Sequence, residues 1–451
     1  MNKQQYLSSE HINDFLDFIA KRLDGNGFPP HSYHIRRSNK LWSCDSLWVA
    51  HQKYDWSFSY RDHQARHRGN TYAQNTQALN SLRLALRSGL TSCDADAALA
   101  DASRMVFEWG GVTKGNVKWA ADLASSGGLV KEYQQGLALL NPETADDRLV
   151  GFNLRFNAGL TKVYSLMLDD FIIYDSRVGA ALGWLVVQYC QQALLSAVPY
   201  ALAFPWAAAK EGVNAVNPKN RNPSAGIYRL PQFKTGLNHA QWNLRASWLL
   251  AALIEKNAKL NRTDNPMREL ESALFMIGYD LPKSPPMTAV PRAQSNKHRV
   301  NEPVTENFPL KTRSKGILFR VETFDDRLVM HYKTRPNGTC RLPDTFTLGE
   351  ICSVCEYLYM HFHLTAFPLA NNVEHMGLNI EREGLGMAIR SLGANTKKAQ
   401  AASYLGPYLE EIGVFEFEQI TWPSTCIGWK FSVAPNNAEI IAAIRDYAQS
   451  E

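Results

Sequence analysis

The stretch that decides the fold reads Asn157-Ala158-Gly159-Leu160-Thr161-Lys162-Val163-Tyr164-Ser165-Leu166-Met167, followed by Phe171-Ile172-Ile173-Tyr174-Asp175-Ser176-Arg177-Val178. Its patterning predicts a helix over about 145–157, a short Gly-centred hairpin at Ala158–Leu160, and a second helix from Thr161. Backbone N–H groups at such a helix start lack intrahelical partners and carry partial positive charge, which suits a phosphate. Lys162 falls in the first turn, where the helix dipole disfavours the ammonium form and favours the free amine. Asp175 follows thirteen residues later, after a short apolar extended run and just before the next helix. Taken singly, Lys162 reads as a solvated lysine and Asp175 as an N-cap. Taken as an ordered set, they read as a site.

Working outward, helical periodicity dominates the first 282 residues. Ser9 to Leu23 places Ile12, Phe15, Leu16 and Ile19 on one face, and 76–87 and 95–109 follow the same spacing. Further helices are predicted over about 117–139, 161–168, 176–198 and 238–257, the last with Trp242, Ala246, Leu249, Leu250 and Leu253 on one face. Few strand-like runs interrupt them. Residues 283–312 change character, with prolines at 285, 286, 291, 303 and 309 among polar and basic residues, and read as a linker. Beyond it, alternating runs around Asp325-Asp326, a Thr347/Glu350 capping box, helices over 379–392 and 396–413, and a hairpin 414–431 around Trp422-Pro423 read as a smaller α+β domain, 313–451. Helices followed by a hairpin at this size fit a winged-helix arrangement.

Composition narrows the function classes. At roughly 100–200 residues per domain, 451 residues make two or three domains, and 45% hydrophobic with 20% charged residues excludes a mainly disordered chain or a collagen. No apolar run is long enough to span a bilayer. The start carries no apolar signal region, and seven scattered cysteines suit a reducing compartment, so a cytoplasmic location is expected. The net charge of +5 is modest, but its distribution is not even. One basic block from His31 to Arg68 is interleaved with Trp42, Trp48, Tyr54, Trp56, Phe58 and Tyr60, and a second spans Lys283 to Lys315. Cations mixed with aromatics suit phosphate contact and base stacking; the bland alternative is a solvated basic face.

The 157–178 stretch resembles the helix-hairpin-helix DNA glycosylases, specifically the 8-oxoguanine glycosylase branch. The resemblance is clear over about 150–190 and looser over about 100–285, where Trp109-Gly110-Gly111 and the helix bearing Trp242 and Arg245 look like framework. It implies that Ala158, Gly159 and Leu160, with Thr161, form the DNA-anchoring hairpin. By the same resemblance Lys162 is the amine nucleophile and Asp175 the essential carboxylate. It implies no organic cofactor, and a monovalent cation held by hairpin carbonyls. The chain departs from the pattern in three ways: the hairpin lacks the usual proline, the lysine-to-aspartate loop is short, and no cysteine-rich iron–sulfur tail is present.

Such an enzyme flips a base out of the stack into a pocket lined by aromatic and polar groups. Trp48, Trp109, Tyr174 and Trp242 are candidates for that lining. The expected partner is DNA, with no membrane and no obligate protein partner evident. The expected substrate is an oxidised purine, as in repair, or a bulky modified pyrimidine of phage DNA, as in antiviral defence. The alternatives are a DNA-binding protein that keeps the hairpin without the chemistry and an interaction adaptor. In the C-terminal domain, Lys397 and Lys398 on the helix opening at Thr396, with Trp429 and Lys430 in the wing, are candidates for DNA contact. Cys352 and Cys355, with Cys340, His361 and His363 nearby, invite a zinc site, but their placement on an amphipathic helix favours core cysteines, and no metal site is expected.

Overall fold

Ile12–Leu23 forms a helix whose apolar positions, Ile12, Phe15, Leu16 and Ile19, are all buried, as their spacing requires. The structure is a computed structural model and describes residues 1–36, 38–151, 153–211, 218–233, 236–258, 260, 263–283, 308–324, 327–333, 342–378, 381–391, 396–421 and 425–450. About half of the chain is helical, and its sheets are small and antiparallel. Helices Tyr72–Gly89 and Ala95–Trp109 stand where the periodicity places them, the first opened by a Thr71/Gln74 capping box. The segment 117–139 divides into Asn116–Ser125 and Leu129–Leu140, because Gly127 takes φ 70° and turns the chain between them. Leu160–Met167, Ser176–Gln192 and Leu237–Lys256 follow. The last is buried continuously from His239 to Leu253, which makes it a central helix rather than an amphipathic surface one.

Two expectations for this region fail. Residues 145–157 form no helix among the described residues; they run as turns and extended backbone. The reason is tertiary: Asp147 is buried and accepts from Arg245 Nε at 2.6 Å, and Leu149 adopts φ 48°, which a helix cannot contain. A helix therefore follows the Ala158–Gly159 turn but none precedes it. Strands are also more frequent than predicted. His31–Ile35 pairs with Lys40–Cys44, and Phe58–Arg61 with Arg66–Gly69, both as antiparallel hairpins. They fall within the basic block, and its aromatics Tyr33, Trp42, Tyr54, Phe58 and Tyr60 are buried. Most of the rings interleaved with those cations are thus core, not an exposed stacking surface.

The chain divides into two compact units: Met1–Tyr189, Phe204–Ser224 and Gln232–Lys283 form one, and Cys190–Ala203, Ala225–Pro231 and Ser284–Glu451 the other. The second thus recruits two segments from within the sequence-read first domain. Much of the sequence-read linker, 284–307, lies outside the described residues, and its end is not a linker, because Leu310–Lys311 is an edge strand. That strand begins a four-stranded sheet continued by Leu318–Thr323, Arg327–Tyr332 and Asp344–Thr347 in chain order. Thr347 and Glu350 make the expected capping box on helix Leu348–Phe362. Phe415–Thr421 and Thr425–Phe431 pair as a hairpin, extended by Phe367–Pro368; the loop at Trp422-Pro423 lies outside the described residues. The two long helices expected over 379–413 are shorter pieces, Leu385–Ser391, Thr396–Ala399 and Ala402–Glu411, and a further helix, Asn437–Ser450, closes the described chain.

Candidate functional site

The extended run Phe171–Asp175 has no strand partner among the described residues, and its backbone polar groups are satisfied by side chains. Ile172 N donates to Ser247 Oγ at 3.1 Å, and Asn243 Nδ2 donates to Ile172 O at 2.9 Å. Ile173 N donates to Glu271 Oε2 at 2.6 Å, and Tyr174 N to Thr161 Oγ1 at 2.9 Å. His239 Nε2 donates to Tyr174 O at 2.7 Å. The Thr161 hydroxyl donates in turn to Asn243 Oδ1, so it ties the Lys162 helix to the Asp175 segment through one buried atom.

That lock sets the relation between the two candidate catalytic groups. Lys162 Nζ lies 3.9 Å from Asp175 Oδ2, with side-chain exposures of 7% and 15%. Lys162 Nζ also donates to Ala158 O at 2.9 Å. Asp175 caps the helix it precedes, its Oδ1 accepting from Arg177 N at 2.8 Å and Val178 N at 3.2 Å, which leaves Oδ2 toward the lysine. Burial pushes Lys162 below the ordinary lysine range, against the opposing pull of Asp175 and Glu271. Burial raises the Asp175 carboxyl, but the Lys162, Arg177 and Arg221 charges and the Arg177 N–H outweigh it, so it is held below the usual carboxylate range. Glu271, buried beside them, is raised by burial despite its 2.6 Å contact with Arg268.

The helix start at 158–161 differs from the expected phosphate anchor. Asn157 Oδ1 accepts from Gly159 N and Leu160 N, Thr161 N donates to Asn157 O, and Lys162 N to Gly159 O. The N–H groups are therefore already paired, and Gly159, Leu160 and Thr161 are buried. The carbonyls of Asn157, Ala158 and Gly159 each accept a hydrogen bond from the helix start or from Lys162. Gly159 is required by packing: a Cβ there would stand 2.3 Å from Asn116 Nδ2.

Lys162, Asp175 and Ala158 open onto a cavity of about 480 Å³. Of the candidate lining residues only Trp109 borders it, with its indole N–H donating to Asn75 Oδ1 at 3.0 Å. Tyr174 does not, because side chains alternate along an extended run: Ile173 and Asp175 face the cavity, while Tyr174 points into the core and donates to Pro205 O. Trp242 sits on the fully buried helix against Phe204 and Arg245, and Trp48 packs on His51 instead. Tyr54 and Trp56, which belong to the interleaved block offered for phosphate contact and stacking, do line the cavity; the walls that sequence reasoning missed are Tyr72 and Phe275, together with the charged groups Arg177, Arg221, Arg268 and Glu271.

In the second unit, Lys398 Nζ is paired with Glu350 at 2.8 Å and lies over the Phe346 ring, so it is part of the packing rather than a projecting DNA contact. The Lys397 side chain lies outside the described residues. Trp429 is fully buried with its N–H on Glu410, so it is not a wing contact, while Lys430 stays at the surface and pairs with Glu418 at 3.1 Å. Cys352 and Cys355 are buried on the helix as expected of core thiols, while Cys340 lies outside the described residues. Among the described residues no group of three or more His, Cys, Asp or Glu is placed to hold a metal ion. Nor is any described helix long and apolar enough to cross a membrane. No protein-family model, curated protein or solved structure matches the chain.

Proposed function

We propose that this protein is a DNA glycosylase, akin to the helix-hairpin-helix enzymes in its lysine and aspartate though without a described helix leading into the hairpin, that excises a modified base, acting in the cytoplasm on DNA. The observation that carries the reading is the Lys162–Asp175 pair, 3.9 Å apart and enclosed at one wall of an aromatic-lined cavity. Cleavage of an N-glycosidic bond builds positive charge on the sugar, which the ionised Asp175 carboxylate stabilises in a desolvated site. Lys162, with its ammonium form disfavoured by burial, supplies the nitrogen lone pair to C1′. The C1′–N bond then breaks with its electron pair going to the departing base, which takes a proton; the lysine nitrogen gives up a proton and its lone pair opens the C1′–O4′ bond, O4′ taking a proton, to leave a Schiff base from which the strand can be cut. The cavity falls within the roughly 300–1,000 Å³ that encloses a drug-sized ligand, room enough for either a bulky modified pyrimidine, as in phage DNA, or an oxidised purine. We read the second unit, with its three-stranded sheet and short helices, as a winged-helix-like module.

The test is incubation of purified protein with ordinary and base-modified DNA, scoring abasic sites for the wild type, Asp175→Asn and Lys162→Gln. Abasic sites on one substrate, abolished by Asp175→Asn, are expected. DNA binding with no abasic site on any substrate would instead make the protein a non-catalytic DNA-binding module.

A further inference from the structure

Two cationic side chains in the cavity wall, besides helping to hold Asp175 ionised, each keep a nitrogen that no described acceptor takes. Arg177 is 6% exposed, and its Nη1 is buried without an acceptor among the described residues; the same is true of Arg221 Nε. The Arg177 guanidinium is clamped between rings, 3.8 Å from the Trp56 centroid and 4.2 Å from that of Phe275, which fixes the plane in which its N–H groups point. Arg221 is steadied through Nη1 on Ser176 Oγ at 2.5 Å. Burial of a charge is costly unless its donors are also satisfied: Asp175 faces Arg177, and Asp175, Glu211 and Asp280 face Arg221, yet these N–H groups still lack an acceptor among the described residues. The cavity walls carry six Lys and Arg side chains against the two carboxylates Asp175 and Glu271. Of these, Arg268 is already engaged by Glu271. A second cavity of about 300 Å³ shares Trp56, Arg177 and Lys219 with the first, so the wall at Arg177 has space on both sides.

We propose that Arg177 and Arg221 form a substituent-reading subsite, which binds an anionic, oxygen-bearing group attached to the extruded base. This rests on the glycosylase reading and specifies its substrate class: a base carrying a carboxylate or comparable acidic substituent. A backbone phosphodiester offers the same oxyanion chemistry. It stays with the strand at the cavity mouth, however, whereas Arg177 is enclosed by Trp56 and Phe275. Planar guanidinium groups with free N–H donors match a carboxylate in a bidentate manner.

The probes are DNA duplexes carrying one 5-carboxycytosine or one 5-methylcytosine, and the 5-carboxycytosine duplex with neutral methylphosphonate linkages flanking the target. Binding is followed by fluorescence anisotropy at fixed ionic strength, and released base is quantified in the same samples. The full-length wild type should bind the carboxylated duplex about tenfold or more tightly than the methylated one, as charge-assisted hydrogen bonds in a desolvated site require. That preference should survive the neutral linkages and be lost in Arg177→Gln and in Arg221→Gln. Arg221, being less buried, supplies the decisive variant if Arg177→Gln does not fold. Equal binding of the two duplexes, a preference retained in Arg221→Gln, or one abolished by the neutral linkages overturns the subsite. Base release without a charge preference defeats the subsite alone; a charge preference without release from any duplex defeats the glycosylase reading and leaves the subsite standing.

Discussion

Gly110 and the aliphatic chain of Lys162 are in direct contact: a Cβ at position 110 would stand 2.5 Å from Lys162 Cδ and 2.7 Å from Cε. The backbone at 110 is ordinary right-handed α, φ −81°, so alanine is tolerated there by the chain itself. What must move is the flexible lysine. Gly110→Ala is therefore expected to leave the fold intact, with a melting temperature within a few degrees of wild type, and to lower base release by roughly ten- to a hundredfold, the scale of a displacement of about 1 Å in a reacting group. Parallel thermal melts and single-turnover base release check this.

The nucleophile assignment predicts a covalent trace. Borohydride added during turnover should reduce the Schiff base and fix the protein to DNA, and Lys162→Gln should abolish the adduct. Because burial lowers the lysine, the reactive free amine appears at a pH below the ordinary lysine value of 10.5. The rate of adduct formation should rise with pH and level off below that value. A profile that climbs all the way to 10.5 would speak against an enclosed nucleophile.

Thr161→Val removes the hydroxyl joining the two halves of the site while keeping the shape of the side chain. It leaves Tyr174 N and Asn243 Oδ1 without their buried partner. The expected destabilisation is about 1–3 kcal/mol, read by denaturant unfolding, and Thr161→Ser should recover most of it. Base release should fall with Thr161→Val because the Asp175 segment loses its anchor.

Two histidines predict an acid limb to stability. Burial pushes both His31 and His239 down to about 4, so each is neutral in the folded chain while the unfolded chain protonates near 6.5. Between those values the unfolded state binds more protons, so stability rises with pH from about 4 to 6.5 and is lost on acidification through that window. Unfolding midpoints measured across this range should fall steeply toward pH 4. His239→Gln should flatten the slope, at a cost in stability at neutral pH through the altered bond to Tyr174 O.

Helices with long, regular apolar spacing were legible residue by residue: Ala95–Trp109 has the same bounds in both readings. The basic block was misread because its alternation, His31 and Tyr33 inward with Ser32 and His34 outward, is short and masked by charge. Residues 145–157 have helical composition, but a buried Asp147–Arg245 ion pair, 98 residues apart in sequence, takes that segment out of a helix. No local pattern encodes such a partner. In the site, Lys162 and Asp175 could be named from motif order, Trp109 only as one of four lining candidates, whereas Arg177, Glu271, Tyr54 and Phe275 are brought together from distant segments.

The sequence by itself determined a mainly helical chain, its turn at Ala158–Gly159, and the lysine and aspartate flanking an apolar run, because these depend on periodicity and on the conformational limits of a few residues. Only the tertiary structure decided what that turn does. Its N–H groups are held by Asn157 and by the helix start, and the lysine that follows it lines the cavity beside it. It also decided the character of that cavity. Which buried cations keep unpaired N–H groups is a sum over all neighbours within a few ångströms, and the chain order of residues does not contain those neighbours.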